Sequence, residues 1–359
     1  MRIFDKKILS VGLALGWLAG SVAAQEVASG IFGYQNLTLL GNSDTIVALP
    51  FARLPAATVN ASSFASNVIT VQGTPGWTAS QFVYASGTQS NTYYVRIESG
   101  ALEGKYFDIT ANTTNTLTLN LNGGALTGLA ANDQASVIPY WTYGTVFANG
   151  NGIHPSISSL SRKTEVFVPN FAGLGKNLSS TATYYYFSNT TDSTTAWRRT
   201  TTGTTNLNDD IIQPNSYLTI RHNVATNTTF TSFGDVILNK ITFPLRGNTT
   251  NQQDNAIGLT RPIQVSLNDS GLTNGGFAVT VSALSRKDEL YVFDNTTTNK
   301  NRSSAATYYY LSNSGWRKTT GSSSIDYGTS NILTPGAGFY IRRAITTNVA
   351  PYWTNSPTY

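Results

Sequence analysis

The sequence predicts an all-β protein of two or three sandwich-like or barrel-like modules, the last two of them an internal duplication. Three observations carry this. Apolar and polar residues alternate with a period of two in segment after segment, the mark of strands with one buried face. Beyond the N-terminal leader, no stretch of twelve residues repeats with the 3.6-residue period of a helix. A long C-terminal stretch also matches one 124 positions before it.

The alternation is clearest in Thr116-Leu117-Thr118-Leu119-Asn120-Leu121, which runs into the turn signal Asn122-Gly123-Gly124. Tyr93-Tyr94-Val95-Arg96-Ile97 and Phe277-Ala278-Val279-Thr280-Val281 read as strands in the same way. Thr is abundant throughout, and β-branched and aromatic residues suit a pleated surface. Short strands punctuated by Asn, Gly, Ser and Pro point to sandwiches or small barrels.

The duplication begins where Leu160-Ser161-Arg162-Lys163 recurs as Leu284-Ser285-Arg286-Lys287. Register holds through Lys176-Asn177 and Lys300-Asn301, Ser179-Ser180 and Ser303-Ser304, and Tyr184-Tyr185-Tyr186 and Tyr308-Tyr309-Tyr310. After a loop deletion, Trp197-Arg198 matches Trp316-Arg317, Pro214 matches Pro335, and Ile220-Arg221 matches Ile341-Arg342. Indels that fall in Asn/Ser/Thr/Gly loops are what duplicated β-modules should show. The expected organisation is a leader at 1–24, an N-terminal module at 25–150, and related modules at 151–233 and 234–359. Two weaker echoes accompany it. Pro139-Tyr140-Trp141-Thr142 reappears as Pro351-Tyr352-Trp353-Thr354, and Thr45 to Pro50 resembles Asp235 to Pro244 in pattern.

The leader decides the expected compartment. Arg2, Lys6 and Lys7 precede an uncharged apolar run from Ile8 to Val22, closed by Val22-Ala23-Ala24 before Gln25. This is the plan of a signal peptide, and the run is short of the ~20 residues a membrane span needs. Export to the extracellular space or cell surface is expected, with the periplasm as the alternative and no transmembrane helix in the mature chain.

Composition narrows the function classes. With no cysteine, thiol catalysis, disulfide chemistry and cysteine-bound metals are excluded. Charged residues make up 11% of the chain, against about 25% in ordinary soluble domains. Residues 25–359 carry 20 basic and 17 acidic side chains, spread along the sequence, which argues against a nucleic-acid partner. A polar but weakly charged surface suits packing against copies of itself or against extracellular polysaccharide.

Catalytic and metal signals are weak. His154 and His222 sit in no ligand spacing, and the repeat mate of His222 is Arg343, so a surface position is expected for it. Asp209-Asp210, Asp254 and Asp294 lack the spacing of a calcium loop. Phosphate-loop, dinucleotide and nucleophile-elbow patterns are absent, so no cofactor or metal is expected. Paired carboxylates for hydrolysis cannot be singled out among 17 acids. The ten Asn-x-Ser/Thr sequons, Asn112, Asn189, Asn227, Asn248 and Asn295 among them, follow from composition. Counting back by twos from Tyr359 meets Pro357, Asn355, Trp353 and Pro351, which is no lipid-facing strand of an outer-membrane barrel.

Two sets of side chains remain as candidates. Tyr185, Trp197, Tyr309 and Trp316 could stack on sugar rings. The competing and favoured reading is that these rings anchor the sandwich core under Arg stems. Arg221 and Arg342 close equivalent strands; they are either solvated strand ends or contacts to a backbone or acidic group of the adjoining module, for example an Asp of the 209–210 or 326 loop.

Asp288 to Asn295, the Lys-Asn-x-Ser-Ser run, Tyr308 to Tyr310, Gly315 to Lys318 and Pro335 to Arg342 together resemble the closing half of a family of exported bacterial proteins. Pro139 to Thr142 before Thr145-Val146-Phe147 is similar to that family's N-terminal half. The resemblance covers most of the mature chain. It implies export and a β-rich fold, and it implies no activity. Three function classes follow in order: a structural or self-assembling surface protein, a glycan-binding adhesin, and a secreted hydrolase.

Overall fold

The computed structural model describes residues 30–189, 194–322, 324–348 and 350–359; the expected signal peptide lies outside them. Residues 31–359 make one unit. The chain opens with β1 (Phe32–Leu39) and β2 (Asp44–Ala48). Next come β3 (Ala57–Ala65), β4 (Val68–Val71), β5 (Tyr93–Ile97), β6 (Tyr106–Asn112), β7 (Thr116–Asn120) and β8 (Gln134–Pro139). Then follow β9 (Trp141–Thr142), the single-turn helix α1 (Tyr143–Val146), β10 (Thr164–Val168), β11 (Ala182–Asn189), β12 (Thr194–Arg199), β13 (Ile211–Ile212), β14 (Tyr217–His222) and β15 (Thr228–Asp235). The last stretch holds β16 (Ile241–Pro244), β17 (Gln253–Gly258), β18 (Glu289–Val292), β19 (Ala306–Leu311), β20 (Gly315–Lys318), β21 (Gly338–Arg343) and β22 (Tyr352–Asn355). The fold is all-β, as its alternation predicts, and α1 is the one α-helix among the described residues.

Strands β3 to β8 close into a six-stranded barrel in the order β3-β4-β7-β6-β5-β8. Closure removes sheet edges, and the inward positions of the alternating strands fill it: Val71, Val95, Ile97, Leu117, Leu119 and Val137 are buried. In β7 the leucines point in, while Thr116 and Thr118 are half-exposed. Asn122 and Gly123 follow with φ of 49° and 82°, the successive left-handed residues that a tight type I′ turn requires.

Two five-stranded sheets carry the duplication, β12-β11-β10-β14-β2 and β20-β19-β18-β21-β17. Their registers correspond pair for pair. Tyr186 faces Trp197 as Tyr310 faces Trp316, and Arg221 faces Asp44 as Arg342 faces Asp254. The inner faces also match, with Val166, Tyr184, Trp197, Leu218 and Ile220 in one core and Leu290, Tyr308, Trp316, Phe339 and Ile341 in the other. Each copy adds a two-stranded ribbon, β1 with β15 and β16 with β22.

The pairing of β2 with β14 and β1 with β15 divides the expected 25–150 module. Its first two strands belong to the first copy, and the barrel is inserted between β2 and β9. The insert leaves and re-enters at one place, where Arg53 Nη1 donates to the Tyr140 carbonyl (3.1 Å) and Trp141 Nε1 to the Phe51 carbonyl (3.0 Å). In the second copy only residues 259–288 stand between β17 and β18.

The copies meet reciprocally. The Ala48 N–H donates to the Gly336 carbonyl (2.8 Å), and at the matching position the Gly258 N–H donates to the Asn215 carbonyl (3.0 Å). Asn215 and Gly336 are both left-handed, with φ of 58° and 69°. Close approach requires glycine nearby: a Cβ on Gly258 would lie 2.1 Å from the Ser216 carbonyl oxygen, and one on Gly338 2.3 Å from Tyr217 Cβ. Such reciprocity is the isologous arrangement of a two-fold dimer, here within one chain.

Three sequence readings are corrected. Phe277 to Val281 is not a strand; only Thr280 bridges, running parallel to Leu311, because the segment touches β19 through just two backbone hydrogen bonds, past the point where β18 stops pairing with it. The Pro-Tyr-Trp-Thr echo has no structural equivalence, since β9 pairs with β13 whereas β22 pairs with β16. The counterpart of the Thr45 to Pro50 run is β17, not Asp235 to Pro244. Among the described residues no helix is long and apolar enough to cross a membrane.

Candidate functional site

The aromatic residues singled out for sugar stacking are interior. Tyr185, Trp197, Tyr309 and Trp316 are 1, 1, 4 and 0% exposed, so none offers a ring face to a ligand. Pairing explains the tryptophans, each of which lies across from a tyrosine on the core face of its sheet. On the other face Tyr185 is covered by the segment leading into β10. Ser156 pairs beside β11 at Phe187, and the Arg162 guanidinium of the same segment lies 5.8 Å from the Tyr185 ring. Arg286 covers Tyr309 at the same distance. Tyr184 and Tyr185, which point to opposite faces of the strand, are thus both buried.

His222 is likewise buried, at 1% exposure, not at the surface. Its Nδ1 lies 3.0 Å from Thr164 Oγ1 and its Nε2 2.8 Å from Thr228 Oγ1. Burial and the neighbouring His154 push its pKa down to about 4, so it is neutral at pH 7. In the second copy the same two core positions hold Asp288 and Arg343, an ion pair at 3.4 Å with side chains 1 and 3% exposed. No cluster of metal-ligating side chains occurs among the described residues. Asp254 pairs with Arg342, Asp210 with Arg199, and Asp294 caps the Thr296 N–H.

Arg221 and Arg342 sit at the junction between the copies. Arg221 makes a two-pronged contact with Asp44 at 2.6 and 2.8 Å, and its Nη2 donates to Asn301 Oδ1 of the second copy at 2.7 Å. Arg342 mirrors it, with Asp254 at 2.7 and 2.9 Å and Asn177 Oδ1 of the first copy at 2.7 Å. The loops answer in kind: the N–H groups of Asn301 and Asn177 each donate to the facing aspartate at 2.7 Å. The acidic partners are therefore Asp44 and Asp254, not residues of the 209–210 or 326 loops. This contact also explains the repeated Lys-Asn-x-Ser-Ser run, which reaches across from one copy to lock the strand pair of the other.

The same loops bring two further repeated motifs together. Lys176 meets Arg286 and Lys287 beside Gln252 and Ile345 in an open cleft of about 630 Å³. Reciprocally, Lys300 Nζ donates to Asn223 Oδ1 at 2.9 Å, and the Asn223 N–H donates to the Lys163 carbonyl. Arg162 and Arg286 are neutralised by Glu165 and Glu289 at 2.6 and 2.5 Å. Among the described residues Lys163, Lys176, Lys287 and Lys300 make no such ion pair.

Above each cluster stands an exposed apolar tip. Leu160 and Leu284 are 94 and 97% exposed, and the matching neighbours Ile157 and Val281 are 72 and 77% exposed. Single exposed apolar residues are ordinary. Two large ones held on the same loop in both copies, with no packing role in either, are not accounted for by folding. In the sequence Leu160 and Leu284 serve only as markers of the repeat. The available signal was a leucine kept within a Ser/Arg/Lys loop where core burial has no place for it.

Comparison with known proteins found no family model, no curated protein and no solved structure that matches the chain.

Proposed function

We propose that the chain is a self-assembling subunit of an exported, surface-associated structure, joined to its neighbours through the two apolar tips. The observation that carries this is the near-complete exposure of Leu160 and Leu284 at equivalent positions of an isologous pair of copies. Each chain then has two like docking points. A tip-to-tip contact buries leucine and isoleucine or valine from both partners. Because each chain holds two tips, such contacts propagate rather than close, as open-ended assemblies require. The low charge of the chain, 11%, opposes association less than an ordinary protein surface would.

The reading makes a graded prediction. Light scattering and electron microscopy of the purified protein should show a mass that grows with concentration and linear assemblies. Leu160→Asp or Leu284→Asp alone should stop growth at dimers, because one tip remains, and the double variant should be monomeric. A wild-type protein that stays monomeric at every concentration, or a double variant that assembles as before, overturns it.

A further inference from the structure

A second concave surface lies on the first copy, where the inserted barrel overhangs β11 and β12. It is an open polar cleft of about 440 Å³ lined by Tyr84 and Thr92 from the barrel and by Tyr184, Arg199, Asp209 and Asp210 from the copy. The barrel wall is closely packed and hydrogen-bonded at this point. Phe82, two residues from Tyr84, is buried between Trp77 and Tyr93 with ring centroids 5.1 and 5.3 Å away, and its N–H donates to Asn112 Oδ1 at 2.9 Å. The Ala85 and Gln89 backbones then close the turn. Tyr84 is thereby held with its side chain 42% exposed.

The opposite wall is equally fixed. The loop before β13 is clipped to α1 by the Tyr143 N–H donating to the Asp210 carbonyl and the Gly144 N–H to that of Asn208. Arg199 Nη2 reaches Asp210 Oδ2 at 3.1 Å and also donates to the Tyr184 hydroxyl, which itself donates to the same carboxylate at 2.7 Å. Burial pushes Tyr184 up to about 12, so its hydroxyl keeps its proton at neutral pH. Arg199 and Asp210 remain about a third exposed, at 36 and 32%, and Asp209 is exposed beside them.

The duplication supplies an internal control. At the matching positions of the second copy, aligned through the shared backbone contacts of Leu207 and Tyr327, Arg199 becomes Lys318, Asp209 becomes Thr329 and Asp210 becomes Ser330, whereas Tyr184 is kept as Tyr308. No barrel overhangs that place. The planar guanidinium and the carboxylates occur only where a second wall and an exposed aromatic ring complete a cleft. A fold requirement would have kept them in both copies.

We propose that this cleft binds a neutral saccharide unit of an extracellular polysaccharide. A ring face presents apolar C–H groups to Tyr84. Vicinal hydroxyls can pair with a carboxylate as donors and with a guanidinium as acceptors, and partners fixed before binding lose little entropy on engagement. Two carboxylates against one guanidinium disfavour an anionic sugar.

Native affinity electrophoresis tests the site, run through gels containing dextran, mannan, xylan, β-glucan or, as charged control, polygalacturonate. The assembly-blocked Leu160→Asp/Leu284→Asp protein is run beside wild type, so that retardation by self-association is separated from retardation by polymer. Expected is retardation on at least one neutral polymer, unchanged by EDTA, and weakened about tenfold or more in Tyr84→Ala and in Asp210→Asn. Lys318→Ala, at the matching site of the other copy, should leave it unchanged. The free oligosaccharide of the retarding polymer should compete in solution if one sugar unit is recognised. No retardation on any neutral polymer, retardation that survives both cleft variants, or retardation abolished by EDTA overturns the proposal, the last by making the acidic pair a cation site.

Discussion

At position 222 the first copy buries a neutral histidine against Thr164, and at the equivalent position the second buries Arg343 against Asp288. Each pair satisfies itself, and a mixed pair does not. Asp288→Thr alone leaves Arg343 buried without its counter-ion, although the Leu245 and Asn348 carbonyls still accept from it; a loss of about 3–5 kcal/mol is expected. Asp288→Thr combined with Arg343→His transplants the Thr164–His222 part of the first copy's arrangement, without the Thr228 hydroxyl, and should recover part of that, measured as a double-mutant cycle by urea denaturation. Additive losses would show that the two positions are uncoupled. The histidine has its own signature. Its native pKa is about 4 against about 6.5 in an unfolded chain. Between those values the unfolded state takes up a proton that the native state refuses, so stability is full above pH 6.5 and falls as pH drops toward 4, by about 3 kcal/mol at most. Asp288, raised chiefly by burial, acts with the opposite sign, so wild type alone does not isolate the effect. His222→Gln should flatten the fall in melting temperature between pH 7 and 4.5. An unchanged slope would place the titration elsewhere.

Among the elements, the strand pairs β2–β14 and β17–β21 are held by the same Asp–Arg–Asn contact. Asp44 is 2% exposed, so Arg221→Ala strands a buried carboxylate, and Arg342→Ala leaves the partly exposed Asp254 carboxylate, 14% exposed, without its cation. Each should cost about 3 kcal/mol, seen as a drop of several degrees in melting temperature. Asn177→Ala and Asn301→Ala remove the cross-copy hydrogen bond to the guanidinium and also place alanine at a left-handed backbone position, φ 55° and 53°, so each should cost about 2 kcal/mol. Shifts below a degree in both arginine variants would reduce the contact to a solvated strand end. Much of this was legible: the repeated register placed both arginines at one strand position, and the alternation in β5 and β7 located those strands. Their partners were not legible. Asp44 lies 177 residues from Arg221 and Asp254 lies 88 from Arg342, and strand pairing leaves no periodic trace over such distances. Phe277 to Val281 misled for a related reason, since alternation reports a half-buried extended chain and not whether a neighbour pairs with it.

For the whole molecule, the duplication was readable and its extent was not. The barrel stands between β2 and β10, so the first copy's opening strands looked like part of another module. Exposure was harder still. The same residue types that anchor the cores, Tyr and Trp, were the natural candidates for a sugar platform, and only the register shows that both sheet faces are covered. The apolar tips were hidden in the opposite sense, because a leucine in a sequence is presumed to be buried.

Two like halves joined reciprocally, with only Val236 to Lys240 between their outer strands, have a consequence for how the chain refolds. Every contact that the halves make with each other within one molecule can be made just as well by halves of two molecules. During refolding at high concentration the halves can therefore exchange, giving intertwined dimers with all native contacts present and only the connecting segment altered. Dilution before refolding should yield the monomeric form. Refolding the Leu160→Asp/Leu284→Asp protein at increasing concentration and separating the products by size should reveal a dimer that persists on later dilution, distinct from tip-mediated assembly by its insensitivity to those substitutions. Its absence would mean that each half closes on its own partner faster than two chains can meet.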